Sequence, residues 1–115
     1  MKITRVYTGD DDESHFEDLD IELSPTVVGA LSEPQDVTKI ISRVTVPDSD
    51  LDFHTAPRQQ YIINLAGGVE IEVGDGSKRL IQAGEILLAE DTNGHGHISR
   101  AVNGEVRRSI FVTLD

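Results

Sequence analysis

The stretch that decides the fold runs from Gln59 to Glu90 and reads QQYIINLAGGVEIEVGDGSKRLIQAGEILLAE. Within it, residues 69–73 (VEIEV) alternate apolar and acidic side chains, which is typical of a strand with one buried face. Asp75-Gly76 follows as a tight-turn signal, because glycine adopts a positive φ without steric cost. We expect residues 78–82 to return antiparallel and, after another glycine turn, residues 86–89 to form a further strand.

Similar short strands are predicted on both sides of this stretch. No run with helical periodicity is long enough to indicate a major helix. Seven or more short strands, separated by glycine, proline and aspartate, predict an all-β sandwich or closed barrel formed by one domain, residues 1–115. The additional predicted strands cover residues 2–8, 13–25, 38–46, 98–102 and 106–114.

Composition limits the classes of partner and chemistry. The 115 residues include 21 acidic and 10 basic side chains, for a formal net charge of -11, which opposes binding to nucleic acid and to anionic membrane surfaces. Cysteine is absent, so any metal would have nitrogen and oxygen ligands. Neither a signal-peptide pattern nor a membrane-spanning segment is recognised, and we therefore expect a cytoplasmic protein.

Residues 51–67 resemble the first sequence motif of the cupin family. In words, that motif is glycine, five residues, His-x-His, three or four residues, glutamate, six residues and glycine. With Gly67 as the closing glycine, Gln60 stands at the glutamate, Ala56 at the second histidine and His54 at the first. The opening glycine is absent, so the chain keeps only part of the motif.

Residues 84–100 resemble the second cupin motif, which is glycine, five residues, Pro-x-Gly, two residues and histidine. Counting from Gly84 puts Glu90 at the proline and ends on His95. The chain also resembles a group of small, mostly uncharacterised bacterial cupins that share HxAPRxQY, EDTxGxGH and SHFED. In that group the last histidine of the glycine-rich loop recurs, so we assign His97 to the barrel and expect His95 to be exposed.

The resemblance implies a cupin double-stranded β-helix, a jelly-roll barrel, that forms a homodimer. Pairing with a second copy would also cover the edge strands of an open barrel. The resemblance further implies a metal site of His54, Gln60 and His97 for a divalent ion (Fe, Zn, Mn or Ni). A neutral amide replaces the family's carboxylate and the methyl group of Ala56 replaces an imidazole, so we expect weak metal binding.

Strand periodicity groups some of the same residues independently. In one continuous strand His54, Ala56, Gln60 and Ile62 share a face and could all point into the barrel, with His97 entering from the strand opposite. The alternative to a metal or ligand site is a pair of buried, hydrogen-bonded histidines around a polar pocket floor. Gln60 by itself is more typical of a hydrogen-bonding pocket residue than of a metal ligand.

Arg58 and Glu90 complete the candidate ligand-binding residues. Arg58 could bind the carboxylate of an acidic ligand in a bidentate contact, or could form a salt bridge with Glu90 or Asp91. An acidic side chain beside His97 would orient that imidazole as a base, whereas Asp91 could instead cap the turn. Arg107-Arg108 is interpreted as surface charge.

Three functions remain open at this level. We expect a protein that binds a small molecule, anionic if Arg58 contacts it, in a polar pocket of His54, Arg58, Gln60 and His97, with or without a weakly bound divalent metal. The alternatives are a metal-dependent oxygenase or isomerase acting on a small acid, with no catalytic residue assigned, and a ligand-free dimeric interaction module. Polar groups buried without partners cost about 1–3 kcal/mol each, which favours a binding pocket over the module.

Overall fold

The computed structural model describes residues 1–115 as twelve β-strands without a helix. No helix is therefore present that could cross a membrane. In chain order the strands are β1 (Lys2–Thr8), β2 (Ser14–Asp20), β3 (Ser24–Thr26), β4 (Gly29–Leu31), β5 (Lys39–Thr45), β6 (Asp50–His54), β7 (Gln60–Ala66), β8 (Val69–Glu72), β9 (Lys78–Ile81), β10 (Ile86–Glu90), β11 (His97–Ala101) and β12 (Arg107–Thr113).

Two larger sheets and one hairpin contain all of these strands. One sheet has six strands in the order β2-β1-β10-β7-β12-β5, and the other has four in the order β6-β11-β8-β9. β3 pairs only with β4. The buried apolar cluster joins both sheets, with Val6 and Leu87 from the first and Ile71 and Ile81 from the second. The core lies between the sheets, compatible with a β-sandwich, and the all-β prediction is confirmed.

The hairpin of β8 and β9 forms where the alternating pattern predicts it. Val69 and Ile71 are buried, whereas Glu70 and Glu72 are half-buried on the other face. The strands pair antiparallel, and Gly76 in the connecting turn has a φ of 87°. Here the local sequence pattern is sufficient, because both the turn and the strands that it joins lie within a few residues.

The predicted continuous strand through His54 and Gln60 is wrong. β6 ends at His54 and β7 begins at Gln60, with a bent segment between them. Pro57 within that segment has no N–H to donate to a strand ladder, and the residue before a proline is itself restricted. The two strands enter different sheets. His97 lies on β11, the ladder neighbour of β6 in the same sheet, and not on a strand that faces His54 across the barrel.

Candidate functional site

A cavity of about 380 Å³ lies between the two large sheets. Its apolar lining comes from Leu51, Ala56, Pro57, Ile62, Val69, Ile71, Ile81, Leu87, Ala89 and Phe111. Its polar lining comes from Arg43, His54, Thr55, Gln60, Asn64, His97, Ser99 and Arg107. The volume is at the lower end of the range of small-molecule sites, roughly 300–1,000 Å³.

His54 and His97 form a pair of imidazoles at one end of this cavity. Their ring centroids are 4.6 Å apart and their planes are tilted by 58°. His97 is buried and His54 is half-buried. The pairing of β6 with β11 brings the two residues directly opposite each other, so adjacent strands of one sheet hold both rings.

Hydrogen bonds to Nδ1 fix the orientation of both imidazoles. Nδ1 of His54 is 2.8 Å from the carbonyl oxygen of Asp52, and Nδ1 of His97 is 2.5 Å from Oδ2 of Asp91. A carbonyl or a carboxylate oxygen only accepts, so in the neutral ring each Nδ1 carries the proton. Each Nε2 then keeps its lone pair, and both rings can accept a hydrogen bond or coordinate an ion there.

Asp91 is the buried hydrogen-bond partner of His97. Its residue surface is fully buried, and its Oδ2 also accepts a hydrogen bond of 2.8 Å from Ser14 Oγ. Its main-chain oxygen accepts a hydrogen bond of 2.9 Å from the amide of Ala56. Of the two acidic neighbours considered for His97, the structure therefore pairs Asp91, whose side chain orients the ring.

Gln60 lines the same cavity from the six-stranded sheet. It is 2 % exposed, and its Oε1 accepts a hydrogen bond of 3.0 Å from Nη1 of Arg58. Arg58 itself does not line the cavity and forms no salt bridge with Glu90 or Asp91. From outside the cavity lining, Arg58 holds the side-chain amide of Gln60 in place.

Glu90 lies outside the cavity. Successive side chains of β10 alternate between the two faces, so Leu87 and Ala89 point inwards and Glu90 points outwards. Oε1 of Glu90 accepts a hydrogen bond of 2.6 Å from Nε of Arg5 on the parallel neighbour β1. Glu90 is thus part of an ion pair on the outer face.

The donor set for a metal contains two imidazole nitrogens. No group of three or more His, Cys, Asp or Glu side chains lies close enough together to hold an ion. Catalytic zinc sites typically have three protein ligands. Gln60 would have to supply the third, and its oxygen already accepts from the charged Arg58. These residues do not fit a tightly held catalytic metal.

The glycine-rich loop separates its two histidines. His95 is exposed, stacks on Phe53 with centroids 3.8 Å apart, and lies 2.9 Å from Glu13 Oε2. Gly96 lies against β6: a Cβ at Gly96 would be 2.1 Å from the carbonyl oxygen of His54. The loop therefore packs closely on the end of β6 at Gly96, and the following residue, His97, lines the cavity whereas His95 does not.

Arg107 is the cavity residue that the sequence interpretation missed. Arg108 is exposed as expected, but Arg107 is 7 % exposed and lines the cavity. On β12 the inward positions include Arg107, Ser109 and Thr113, all buried. Arg107 thus occupies an inward position on a strand whose Phe111 also lines the cavity, and hydrophobic periodicity alone does not single it out.

No protein-family model matches the chain, and no curated protein matches it.

Proposed function

We propose that this protein is a small jelly-roll barrel of the cupin type that binds a small organic molecule in the cavity between its sheets. The observation that carries the proposal is the His54–His97 pair, whose Nδ1 atoms are both held by oxygen acceptors while the rings line the cavity. Each Nε2 can then accept a hydrogen bond. The ligand should therefore present a hydroxyl or another N–H or O–H donor to these rings.

The remaining lining supports an organic ligand rather than water or a small ion alone. Apolar side chains from both sheets, among them Ile62, Ile71 and Phe111, form most of the cavity wall. Such a wall binds a hydrocarbon segment through burial of apolar surface, and a few polar groups then fix its orientation. Gln60, held by Arg58, is a further polar group that can orient the ligand.

A titration with 1,8-octanediol tests this function, because the diol combines hydroxyl donors with an apolar chain. We expect it to shift the NMR signals of cavity-lining residues. We expect His54→Ala/His97→Ala to weaken binding by about two- to tenfold, because the hydroxyl loses the imidazole nitrogen that accepts its proton. His95→Ala is the matched control and should bind normally. Equal affinity of the wild type and the double variant would refute the role of the histidine pair.

A metal-dependent enzyme is the second candidate, and one observation favours it. Metal-ligating histidines usually donate their other N–H to a carboxylate or a carbonyl, as His54 and His97 do here. The two imidazoles would hold a divalent ion only weakly, and such an ion would supply Lewis-acid chemistry to a ligand oxygen. Elemental analysis of protein purified without chelator or affinity-tag nickel tests it: stoichiometric metal that is lost in His54→Ala/His97→Ala would favour the enzyme.

We also propose that the protein forms a homodimer through the region of β3 to β5. β5 is an edge strand of the six-stranded sheet, and its outward side chains include Ile40 and Val44, exposed by 70 % and 69 %. The hairpin of β3 and β4 pairs with no other strand and exposes Val27 and Val28 between its strands. A second copy would cover both the open edge and these apolar side chains.

A further inference from the structure

Arg107 is a buried cation without a counter-ion. Its residue surface is 7 % exposed, and its Nε and Nη1 are buried without a hydrogen-bond partner. It takes part in no salt bridge. Burial lowers the pKa of Arg107, because the charged form has lost water and gained no acid in exchange. A buried polar group of this kind calls for a partner from outside the chain.

Arg43 brings a second guanidinium to the same part of the cavity. It pairs in the ladder with Ser109, two residues from Arg107, so the two arginines are diagonal neighbours on one face. Arg43 donates from Nε to Ser109 Oγ at 3.2 Å and lies over the ring of Phe111, but it has no carboxylate partner. Burial and the charge of Arg107 lower the pKa of Arg43 to about 10, so it remains charged at neutral pH.

The missing counter-ions are not a consequence of composition. The chain has 21 acidic side chains, and the other inter-strand arginines Arg5, Arg79 and Arg100 each pair with a carboxylate. Arg43 and Arg107, which are neighbours at the cavity, both lack a carboxylate partner. Two desolvated like charges are unfavourable in the absence of an anion, and an anion between them would offset that cost.

We propose that Arg43 and Arg107 bind the carboxylate of a small organic acid whose other end carries the donor group for the histidine pair. The proposal rests on the proposed function, because it assigns the ligand class of the same cavity. Guanidinium groups bind planar carboxylates through paired, charge-assisted hydrogen bonds. The apolar wall of the cavity favours an organic acid with a hydrocarbon segment over an inorganic anion.

The strand register places the arginines and the histidine pair at different ends of the cavity. Gln60 pairs with Ala89, which lies two residues before the Asp91 that holds His97. Asn64, four residues further along β7, pairs with Ser109, the ladder partner of Arg43. Four residues of strand correspond to about 13 Å. A ligand that reaches both ends is therefore elongated, with a carboxylate at one end and a hydroxyl at the other.

Calorimetric titrations with 8-hydroxyoctanoate and 1,8-octanediol test this assignment, since the two differ only at the carboxylate end. We expect the hydroxy acid to bind the wild type about tenfold or more tightly than the diol. Arg107→Met should weaken binding of the hydroxy acid more than binding of the diol and so remove that advantage, and Arg43→Met is a second variant with the same expectation. Arg108→Met, at the exposed neighbouring position, is the matched control and should keep the advantage.

A thermal melt of the ligand-free protein separates binding from a structural role. Arg107→Met removes an unpartnered buried charge and should raise Tm, whereas a residue needed for folding would lower it. Equal affinity for the acid and the diol, or inorganic phosphate competing as well as the acid, would overturn the carboxylate assignment while the cavity function stands. Absence of cavity binding by both compounds would overturn the proposed function together with this inference.

Discussion

At the scale of single residues, Asp91 determines which ring nitrogen of His97 is free to accept a hydrogen bond. Its Oδ2 accepts hydrogen bonds from both Ser14 and His97 in a fully buried position. Because this carboxylate holds the Nδ1 proton of His97, the opposite nitrogen is left as an acceptor towards the cavity. The chemistry of the site thus depends on a residue that itself does not line it.

We predict that Asp91→Ala destabilises the fold by about 1–3 kcal/mol, because Ser14 and His97 lose their buried acceptor. Urea unfolding measures this difference. Thr92→Ala, at the exposed next position, is the control and should unfold like the wild type. A stability of Asp91→Ala equal to that of Thr92→Ala would mean that the buried pair contributes nothing to the fold.

Some residues of the cavity could be predicted from the sequence and others could not, for a physical reason. His54 and His97 stand out because histidine is rare in the chain, and a motif resemblance singles them out. Arg107 does not stand out, because arginine is normally exposed, as the neighbouring Arg108 is here. Its burial follows from the way β12 packs between β7 and β5, which no local pattern encodes.

At the scale of secondary-structure elements, strands with local partners could be predicted and sheet membership could not. The hairpin of β8 and β9 follows from alternation and a glycine turn. β6 and β7 are adjacent in the sequence yet belong to different sheets, and β1 pairs with the distant β10. These non-local pairings depend on the whole core. Local periodicity therefore could not predict that His54 and Gln60 lie in different sheets.

The glycine-rich loop gives a test at this scale. We predict that Gly96→Ala destabilises the protein more than Gly76→Ala, although the φ angles are similar, 82° and 87°. Both substitutions cost about 1–2 kcal/mol for a left-handed backbone, but only at Gly96 would the new methyl group meet the His54 carbonyl. Chemical unfolding of both variants measures the difference, and equal losses would show that β6 tolerates a displaced loop.

An ion pair joins the two sheets at their edges and makes a prediction about pH. Asp18 in β2 accepts from Arg79 in β9 at 2.5 Å, and this hydrogen bond and the arginine charge lower the pKa of Asp18 below its usual 3.8. Because the pKa of Asp18 is lower in the folded than in the unfolded protein, the ion pair stabilises the fold at pH values above 3.8. This contribution disappears as the pH falls through the pKa of the folded state.

We therefore predict that Asp18→Asn lowers the free energy of unfolding at neutral pH and has no effect well below pH 3.8. Urea unfolding at both pH values measures this. In an Arg79→Met background the same substitution should have no effect at either pH, since the partner is gone. A pH-independent cost of Asp18→Asn would assign its effect to something other than this ion pair.

At the scale of the whole molecule, the distribution of apolar surface is uneven. The core lies between the sheets, while the outer face of β5 and the hairpin of β3 and β4 expose Val27, Ile40 and Val44. A net charge of -11 keeps molecules apart in general. A specific apolar contact is therefore needed for the association that we propose.

We predict that light scattering gives a mass of twice the 12.6 kDa of one chain. Ile40→Asp/Val44→Asp, on the outward face of the edge strand, should give a folded monomer because charge would be buried at the contact. Leu80→Asp, at an exposed position on β9 of the other sheet, is the control and should remain dimeric. A monomeric wild type would contradict the proposed dimer.

The measurement that tests the central claim most directly is side-chain ¹⁵N NMR of the histidines, recorded with and without 1,8-octanediol. The proposed site requires His54 and His97 to be protonated on Nδ1 in their neutral form, and their Nε2 signals to move when the diol binds. His15 and His95, outside the cavity, should not change. Protonation of Nε2 in the free protein, or diol binding that leaves both Nε2 signals in place, would contradict the account.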